Sequence, residues 1–302
     1  MNKEINENKI GIALCGGGLQ GFSHIGAIRA LEELGIDIKL ISGTSSGSLI
    51  AGLYAAGFNT YEMEEICRKE YKKILKVKKS TILKIIWNYL FFKETRTEGL
   101  IDGKYFEKMI DTYAAKKKIA HISNIKDKKL AIATVDTKTM KECLFVSDIL
   151  DTSNNNINYI ENVSLGKAIR ASMAFPGIFT TVNLDNYNFI DGGTIDNLPT
   201  QVLKDMGAEK IIAIDFDLSK YTPSNNLENV VLRALDIFSY GDVKKGQEVS
   251  DISIEIYNPD TGLVKLKDFE KTVKRGYDAV MERKQEIIKL IENSYKIVLE
   301  NK

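Results

Sequence analysis

The 302-residue sequence contains few cysteines, histidines and prolines, and it has almost no net charge. Its three cysteines, Cys15, Cys67 and Cys143, lie far apart and are odd in number, which fits neither a disulfide framework nor the ligand spacing of a metal site. The 42 basic and 41 acidic residues lack the strong positive field of a dedicated nucleic-acid-binding protein. We therefore expect a reducing compartment, no metal and no nucleic-acid partner.

Long apolar runs are also missing. The longest nearly apolar window, residues 85–92, is well below the roughly 18 residues that a transmembrane helix needs. The apolar stretch at residues 10–15 is too short for the core of a signal peptide. We therefore expect a cytoplasmic protein that does not span a membrane.

The remaining composition is that of an ordinary globular chain, with 44% hydrophobic and 27% charged residues. No linker rich in proline, glycine or serine interrupts it, which favours a single domain over residues 1–302. Residues after about 217 match no motif and are expected to be a largely helical C-terminal part.

Short aliphatic runs followed by glycine-rich turns predict alternating strands and helices. Residues 10–15 lead through glycines at 16–21 into a helix, and residues 38–41 lead through 43–47 into a second helix. Two such units in succession favour an α/β fold with a parallel sheet. Further strands are predicted at 130–135, 142–146, 189–190, 211–216 and 252–256, and further helices at 165–173, 201–206, 227–249 and 269–299.

Residues 68–93 differ from the rest of the chain in charge, since they contain nine basic residues and one acidic residue. Apolar side chains, among them Trp87 and Phe91, alternate with the basic ones, which is typical of an amphipathic helix on a membrane surface. A solvated helix packed on the body of the protein is the alternative. The first interpretation predicts peripheral contact with the inner face of a membrane, with Trp87 and Phe91 as anchors.

The pattern G-x-S-x-G at residues 43–47 places Ser45 on a tight turn between a strand and a helix. Such a turn lifts the serine oxygen clear of the sheet, and the following helix directs its first amides and its dipole at developing negative charge. The bare pattern also occurs in ordinary turns. Its position after the second predicted strand makes Ser45 the candidate nucleophile.

The glycines at 16–21 also satisfy G-x-G-x-x-G, which is typical of dinucleotide-binding sites. A dinucleotide site needs an acidic residue at the end of the second strand to hold the ribose, and residues 42–45 contain none. Glycine amides without that residue fit an oxyanion hole or a phosphate cradle better.

A serine nucleophile needs a base, and the sequence has only two histidines, His24 and His121. His24 lies on the first turn of a helix, where packing is its more common role, and His121 lies among lysines in a predicted loop. A carboxylate is therefore the better candidate. Asp191 lies at a predicted strand end before two glycines, but most aspartates in that position cap turns, so it gains weight only from the other motifs of the sequence. Replacement of either histidine is then expected to preserve the reaction.

Four motifs together give the sequence a family resemblance. They are G-G-G-L-Q-G at 16–21, G-T-S-S-G-S at 43–48, A-S-M-A-F-P-G-I-F at 171–179, and D-G-G at 191–193 followed by N-L-P at 197–199. In this order they resemble the patatin-like phospholipase family. The resemblance implies a three-layer α/β/α fold with a mostly parallel central sheet, and a lipid acyl hydrolase that acts through an acyl-enzyme without a metal or cofactor.

Carried over by position, Ser45 resembles the nucleophile of that family and Asp191 the base of its Ser-Asp dyad. The resemblance also implies an oxyanion hole and a substrate pocket. We assign to the oxyanion hole Gly16, Gly17, Gly18 and Ser46, and to the pocket wall Phe175 and Pro176. The implied substrate is a phospholipid or another acyl lipid, cleaved by a phospholipase A or lysophospholipase type of reaction.

The chain departs from the family pattern at Gln20, where a basic residue is usual. Backbone amides are unaffected by this change, but a positive charge beside the predicted oxyanion loop is lost. A catalytically weak or inactive member that binds lipid or a partner through residues 68–93 is therefore the alternative function. A nucleotide-binding oxidoreductase is a third hypothesis, which the glycine loop alone suggests.

Overall fold

The computed structural model describes residues 10–77, 79–92, 97–148, 156–217, 227–262, 264 and 266–300. The strands in these ranges are β1 (Ile10–Leu14), β2 (Leu40–Thr44), β3 (Gly99–Ile101), β4 (Lys129–Asp136), β5 (Lys141–Val146), β6 (Asn158–Ile160), β7 (Gly177–Phe179), β8 (Val182–Leu184), β9 (Tyr187–Asp191), β10 (Lys210–Phe216) and β11 (Ile252–Ile256). The helices are α1 (Ser23–Glu33), α2 (Ser46–Ala55), α3 (Thr60–Ile74), α4 (Lys79–Phe92), α5 (Lys104–Lys116), α6 (Leu165–Ser172), α7 (Gln201–Asp205), α8 (Leu227–Val249), α9 (Phe269–Glu282) and α10 (Lys284–Glu300).

A central sheet has the strand order β11-β10-β1-β2-β4-β5-β6, with β9 paired to β4 and β8 paired to β9. The five strands from β11 to β4 are parallel to one another, whereas β5 and β9 run antiparallel to β4. Strands β3 and β7 form a separate parallel pair. Because β1, β2 and β4 are adjacent and parallel, the loops that follow them meet at one edge of the sheet, which we call the carboxyl edge.

Burial on both faces explains why the central strands are apolar throughout. All five residues of β1 and of β2 are buried, as expected for a parallel sheet that is covered by helices on each side. Ile12, Ile41 and Ile212 have no exposed surface, and truncation of any of them to alanine is expected to cost about 2–5 kcal/mol of stability. The predicted α/β fold with a mostly parallel central sheet is confirmed.

Two predicted boundaries are wrong, and each has a physical reason. The helix predicted at 269–299 is divided into α9 and α10 at Arg283, whose amide donates to the Val280 carbonyl and whose guanidinium donates to the Ser253 carbonyl. The second strand, predicted at 38–41, instead runs from Leu40 to Thr44. It extends this far because its register with β4 pairs Thr44 with Ala133. The C-terminal part after residue 217 also supplies β11, which extends the sheet.

The basic segment at residues 68–93 is not a single helix. Its first residues complete α3, which ends at Ile74, and α4 begins at Lys79 after a short connection. At the end of α3, Ile74 and Leu75 line a pocket in the body of the protein. Lys78 and Lys93 lie outside the described residues. No helix in the described ranges is long and apolar enough to cross a membrane.

Candidate active site

Ser45 lies on the turn between β2 and α2, at the carboxyl edge of the sheet. Its backbone has φ 51° and ψ −122°, a conformation that costs energy for any residue with a side chain. The flanking glycines make the turn possible. A Cβ atom on Gly43 would lie 2.6 Å from the backbone of Gly47, and a Cβ atom on Gly47 would lie 2.3 Å from the Leu14 carbonyl oxygen.

The structure brings Asp191 to Ser45, although 146 positions separate them in the sequence. The Ser45 hydroxyl donates a hydrogen bond of 2.7 Å to Oδ2 of Asp191. The other carboxylate oxygen, Oδ1, accepts a bond of 2.9 Å from the Gly193 amide. The Asp191 amide in turn donates to the Ala174 carbonyl, which fixes the end of β9. The carboxylate is therefore oriented before any substrate binds.

Burial makes the carboxylate of Asp191 a stronger base, because it raises the pKa of this group. Only 3% of the residue is exposed, and removal from water raises its pKa from 3.8 to about 6. The hydrogen bonds from Ser45 and Gly193 act in the opposite direction but do not outweigh burial. At neutral pH the group is therefore ionised and is a stronger proton acceptor than an ordinary aspartate.

Two further serines hold the backbone of Ser45. The Ser45 amide donates to the hydroxyl oxygen of Ser172 at 2.9 Å, and that hydroxyl donates to the Ala133 carbonyl at 2.6 Å. The Ser48 hydroxyl donates to the Ser45 carbonyl at 2.6 Å. Sequence reasoning quoted Ser172 and Ser48 within motifs but assigned them no role. For Ser172 the available signal was a hydroxyl side chain in a segment that is otherwise small and apolar.

The glycine loop after β1 is fixed by side chains from distant parts of the chain. The Gly16 amide donates to Oδ1 of Asn197 at 3.2 Å, and Nδ2 of Asn197 donates to the Gly16 carbonyl at 3.3 Å. The Gly17 amide donates to the Ser46 hydroxyl at 3.1 Å. Within the described residues the Gly18 amide has no acceptor, and Gly18 lines the same pocket as Ser45. The geometry therefore favours Gly18 among the three predicted glycine donors.

Neither histidine reaches the pair of Ser45 and Asp191. His24 is buried, its Nε2 donates to the Cys15 carbonyl at 2.9 Å, and its ring stacks on Phe216. Burial lowers the pKa of His24 from 6.5 to about 4, so its ring is neutral at physiological pH. His121 is exposed, and its backbone forms a bridge with Ser164.

A pocket with an almost entirely apolar lining opens beside Ser45. Apart from Gly18, Ser45 and Ser46, the residues that line it are Leu19, Phe22, Leu49, Tyr71, Ile74, Leu75, Met173, Phe175, Ile178, Phe179 and Val264. A hydrocarbon chain fits this lining, because it needs no hydrogen-bond partner. The motif at 171–179 supplies one wall, but the residues from α3 and the Val264 loop carried no recognisable signal in the sequence.

The other predicted site residues fall in different places. Phe175 lines the pocket, whereas Pro176 is exposed and outside the lining. Gln20 is half-buried in a short 3-10 turn at Gly18–Phe22. Trp87 is 59% exposed on α4, and the Phe91 side chain lies outside the described part of the structure. Within the described ranges no three His, Cys, Asp or Glu residues are grouped to hold a metal ion.

Comparison with known proteins assigns most of the chain to one family. A family model described as patatin-like phospholipase matches residues 12–204. A Candida albicans protein named lysophospholipase NTE1 is 28% identical over 222 residues, which cover 73% of this chain and 14% of that protein. The human patatin-like phospholipase domain-containing protein 6 is 29% identical over 225 residues, with 72% and 14% covered. The chain thus matches about one seventh of the length of these relatives.

Comparison with solved structures gives the same fold at lower sequence identity. The crystal structure of VipD from Legionella pneumophila superimposes with a TM-score of 0.55 at 14% identity. The match covers 93% of this chain and 67% of that chain. At this identity the likeness concerns the fold alone, and the chemistry has to be argued from the side chains.

Proposed function

The chain belongs to the patatin-like phospholipase family, and on that premise we propose that it is a lipid acyl hydrolase with a Ser45-Asp191 dyad. The observation that carries the proposal is the 2.7 Å hydrogen bond from the Ser45 hydroxyl to Asp191, beside a pocket with an apolar lining. A nucleophile, a base with a raised pKa and space for an acyl chain are the parts that ester cleavage needs. The same geometry argues against the alternative of an inactive member.

In the proposed reaction Asp191 accepts the Ser45 proton while Oγ attacks the ester carbonyl carbon. The oxyanion that forms accepts hydrogen bonds from the amides of Gly18 and Ser46, the latter at the first turn of α2. The tetrahedral intermediate collapses, the C–O bond to the alcohol breaks, and Asp191 returns the proton to that alcohol. Water then attacks the acyl-enzyme and gives a proton to Asp191. The bond between the acyl carbon and Ser45 Oγ breaks, Asp191 returns the proton to Oγ, and the fatty acid leaves.

The proposed substrate is a phospholipid or a lysophospholipid whose acyl chain occupies the apolar pocket. The two relatives are named for lysophospholipase and phospholipase activity, and the lining of the pocket is consistent with either. Such lipids reside in membranes. We propose that the protein is cytoplasmic, as the sequence analysis expects, and that it contacts the inner face of a membrane through the segment that contains α4.

Two substitutions test this proposal. Ser45→Ala and Asp191→Asn are each expected to reduce fatty-acid release from a lysophospholipid at least about a thousandfold. The double variant is expected to be about as inactive as either single variant, because the two groups act as one unit. Labelling by a fluorophosphonate, which marks an activated serine, is expected to disappear in Ser45→Ala.

Asp185→Asn is the matched control for Asp191→Asn, since Asp185 lies in the turn before β9 and has a φ of 49° that asparagine tolerates. It is expected to leave activity unchanged. Full activity in Asp191→Asn, with an unaltered thermal unfolding curve, would assign the base to another group. A wild-type protein that releases no fatty acid from any acyl lipid would instead favour the inactive, lipid-binding alternative.

A further inference from the structure

Helix α8 connects β10 to β11, and it is much longer than either strand. It is the crossover from the carboxyl end of β10 to the amino end of β11, so it runs opposite to both strands. Near its end, Nε2 of Gln247 donates to Asp215, the penultimate residue of β10, at 2.6 Å. The preceding twenty residues of the helix, 227–246, cover about 30 Å at 1.5 Å per residue. The first half of α8 therefore projects past the carboxyl edge, where Ser45 lies.

The projecting half of α8 and the residues just after it expose apolar side chains on one face. Val230, Ile237 and Tyr240 are each more than half exposed. Their spacing of seven and three positions places them on the same side of the helix. The Lys244 ammonium lies 5.7 Å from the centre of the Tyr240 ring. Aromatic and basic side chains in this arrangement are typical of a membrane-water interface.

Helix α4 provides a second apolar face at the same edge. Its predecessor α3 ends with Ile74 and Leu75 in the wall of the Ser45 pocket, and α4 starts four residues after Leu75. Leu83, Trp87 and Leu90 are each more than half exposed. Steps of four and three positions place these residues on one side of α4 as well.

Charge at the pocket rim indicates what covers these faces. Lys72 and Lys76, at the end of α3, are exposed and form no ion pair with a carboxylate of the described residues. The neighbouring Lys73 is paired with Glu70 at 3.0 Å. A protein partner would explain apolar faces alone. An anionic lipid surface explains the apolar faces, the lysines that form no ion pair, of which Lys72 lies 5.7 Å from the centre of the Tyr71 ring, and an apolar substrate pocket at one edge of the sheet.

We propose that the exposed faces of α4 and α8 form one membrane-insertion surface, with α4 contributing Leu83, Trp87 and Leu90 and α8 contributing Val230, Ile237 and Tyr240. This surface seats the carboxyl edge of the sheet on an anionic bilayer, so that the Ser45 pocket opens toward lipid. The contribution of α8 goes beyond the segment at 68–93 that sequence analysis selected. The lipid partner rests on the proposed function, but binding itself requires no hydrolysis.

Trp87 is the only tryptophan of the chain and lies on the proposed surface, so it reports insertion directly. In Ser45→Ala protein, we expect vesicles of phosphatidylcholine and phosphatidylglycerol to shift its emission to shorter wavelength. Lipids with brominated acyl chains are expected to quench it. The pair Ile237→Gln and Tyr240→Gln preserves helix propensity and is expected to weaken vesicle partitioning at least about tenfold.

Tyr61→Gln is the matched control. Tyr61 is an exposed aromatic residue on the second position of α3, at the end of that helix away from the pocket. Its replacement is expected to leave partitioning unchanged. If the double variant of α8 unfolds, Ile237→Trp in Trp87→Phe protein replaces it, and quenching of the new tryptophan by brominated lipid is the expected result.

Three results would overturn the proposal: unquenched Trp87, wild-type partitioning in a folded α8 variant, or an oligomer in sedimentation that the α8 substitutions dissociate. The last result would identify the surface as a contact between copies of the chain. These outcomes are independent of the proposed reaction, because inactive Ser45→Ala protein is used throughout. If the proposed dyad is wrong, wild-type protein would bind vesicles but release no fatty acid.

Discussion

Ser45 adopts an unfavourable backbone conformation that several neighbours hold in place. Its amide is bound by Ser172 and its carbonyl by Ser48, while Gly43 and Gly47 allow the close approach of adjacent backbone. Strain of this kind costs about 1–3 kcal/mol and persists only where surrounding contacts enforce it. The result is a hydroxyl that points at Asp191 in the absence of substrate, which removes the need for reorganisation during catalysis.

The pKa of Asp191 predicts the pH dependence of the reaction. Burial raises this pKa to about 6, so the carboxylate becomes protonated as the pH falls through that value and can no longer accept the Ser45 proton. The kcat/KM for a soluble short-chain ester is expected to fall about tenfold per pH unit below pH 6. An acidic limb near pH 4 would indicate an aspartate with an ordinary pKa or a different base.

Substitution of His24 distinguishes a role in positioning the glycine loop from a role in proton transfer. The bond from His24 to the Cys15 carbonyl holds the residue before the glycine loop. His24→Ala is expected to lower kcat about tenfold through movement of that loop, with KM and the acidic limb unchanged. His24→Asn retains a donor and is expected to recover part of the rate. A loss as large as that of Ser45→Ala in both variants, with unaltered thermal unfolding, would contradict a role limited to positioning.

At the scale of elements, local patterns predict the structure where local chemistry determines it. The units β1 to α1 and β2 to α2 followed from aliphatic runs and glycine turns, because steric demands at Gly43 and Gly47 are visible in the sequence. The break between α3 and α4, the division at Arg283 and the pair of β3 with β7 depend on contacts between distant residues. The pocket lining from α3 was unpredictable for the same reason.

A pair of carboxyl groups connects β5 to the loop after β9. Burial and the nearby charge of Asp196 raise the pKa of Glu142 well above its ordinary value of 4.5. A raised acid pKa means that the folded protein keeps a proton which the unfolded chain releases above about pH 4.5, so stability falls as the pH rises above that value. Glu142→Gln removes the ionisation and is expected to raise the unfolding temperature by a few degrees at pH 8.

The same substitution is expected to have a much smaller effect at pH 4.5, where the folded state carries the proton and so do about half of the unfolded chains. Glu248→Gln, on the exposed surface of α8, is the control and is expected to behave as wild type at both pH values. Equal unfolding temperatures for wild type and Glu142→Gln across this range would show that Glu142 titrates normally.

At the scale of the molecule, the sheet has two different edges. The carboxyl edge contains Ser45 and Asp191, and the end of α3 adds Ile74, Leu75 and exposed lysines beside the pocket. Lys126 and Lys128 lie at the opposite edge, just before β4. An enzyme that takes its substrate from a bilayer benefits from this polarity, since one orientation on the surface directs the pocket to the lipid.

The last prediction concerns the lysines at the pocket rim. Lys72→Gln together with Lys76→Gln is expected to reduce hydrolysis on anionic vesicles about tenfold at low salt, because each basic residue near such a surface contributes about 1 kcal/mol. Cleavage of a soluble short-chain ester is expected to be unchanged. Lys126→Gln with Lys128→Gln removes the same charge from the opposite edge and is expected to have little effect on either substrate.

The salt dependence of vesicle hydrolysis distinguishes electrostatic attraction from the insertion of apolar side chains at this surface. Screening weakens the attraction of the lysines but not the burial of apolar side chains, so wild type and the Lys72, Lys76 variant are expected to converge at high salt. The activity that remains there depends on Ile237 and Tyr240 if α8 inserts. Vesicle hydrolysis by wild type that does not change with salt would rule out electrostatic docking, and a persistent gap between the two proteins at high salt would assign these lysines to substrate binding inside the pocket.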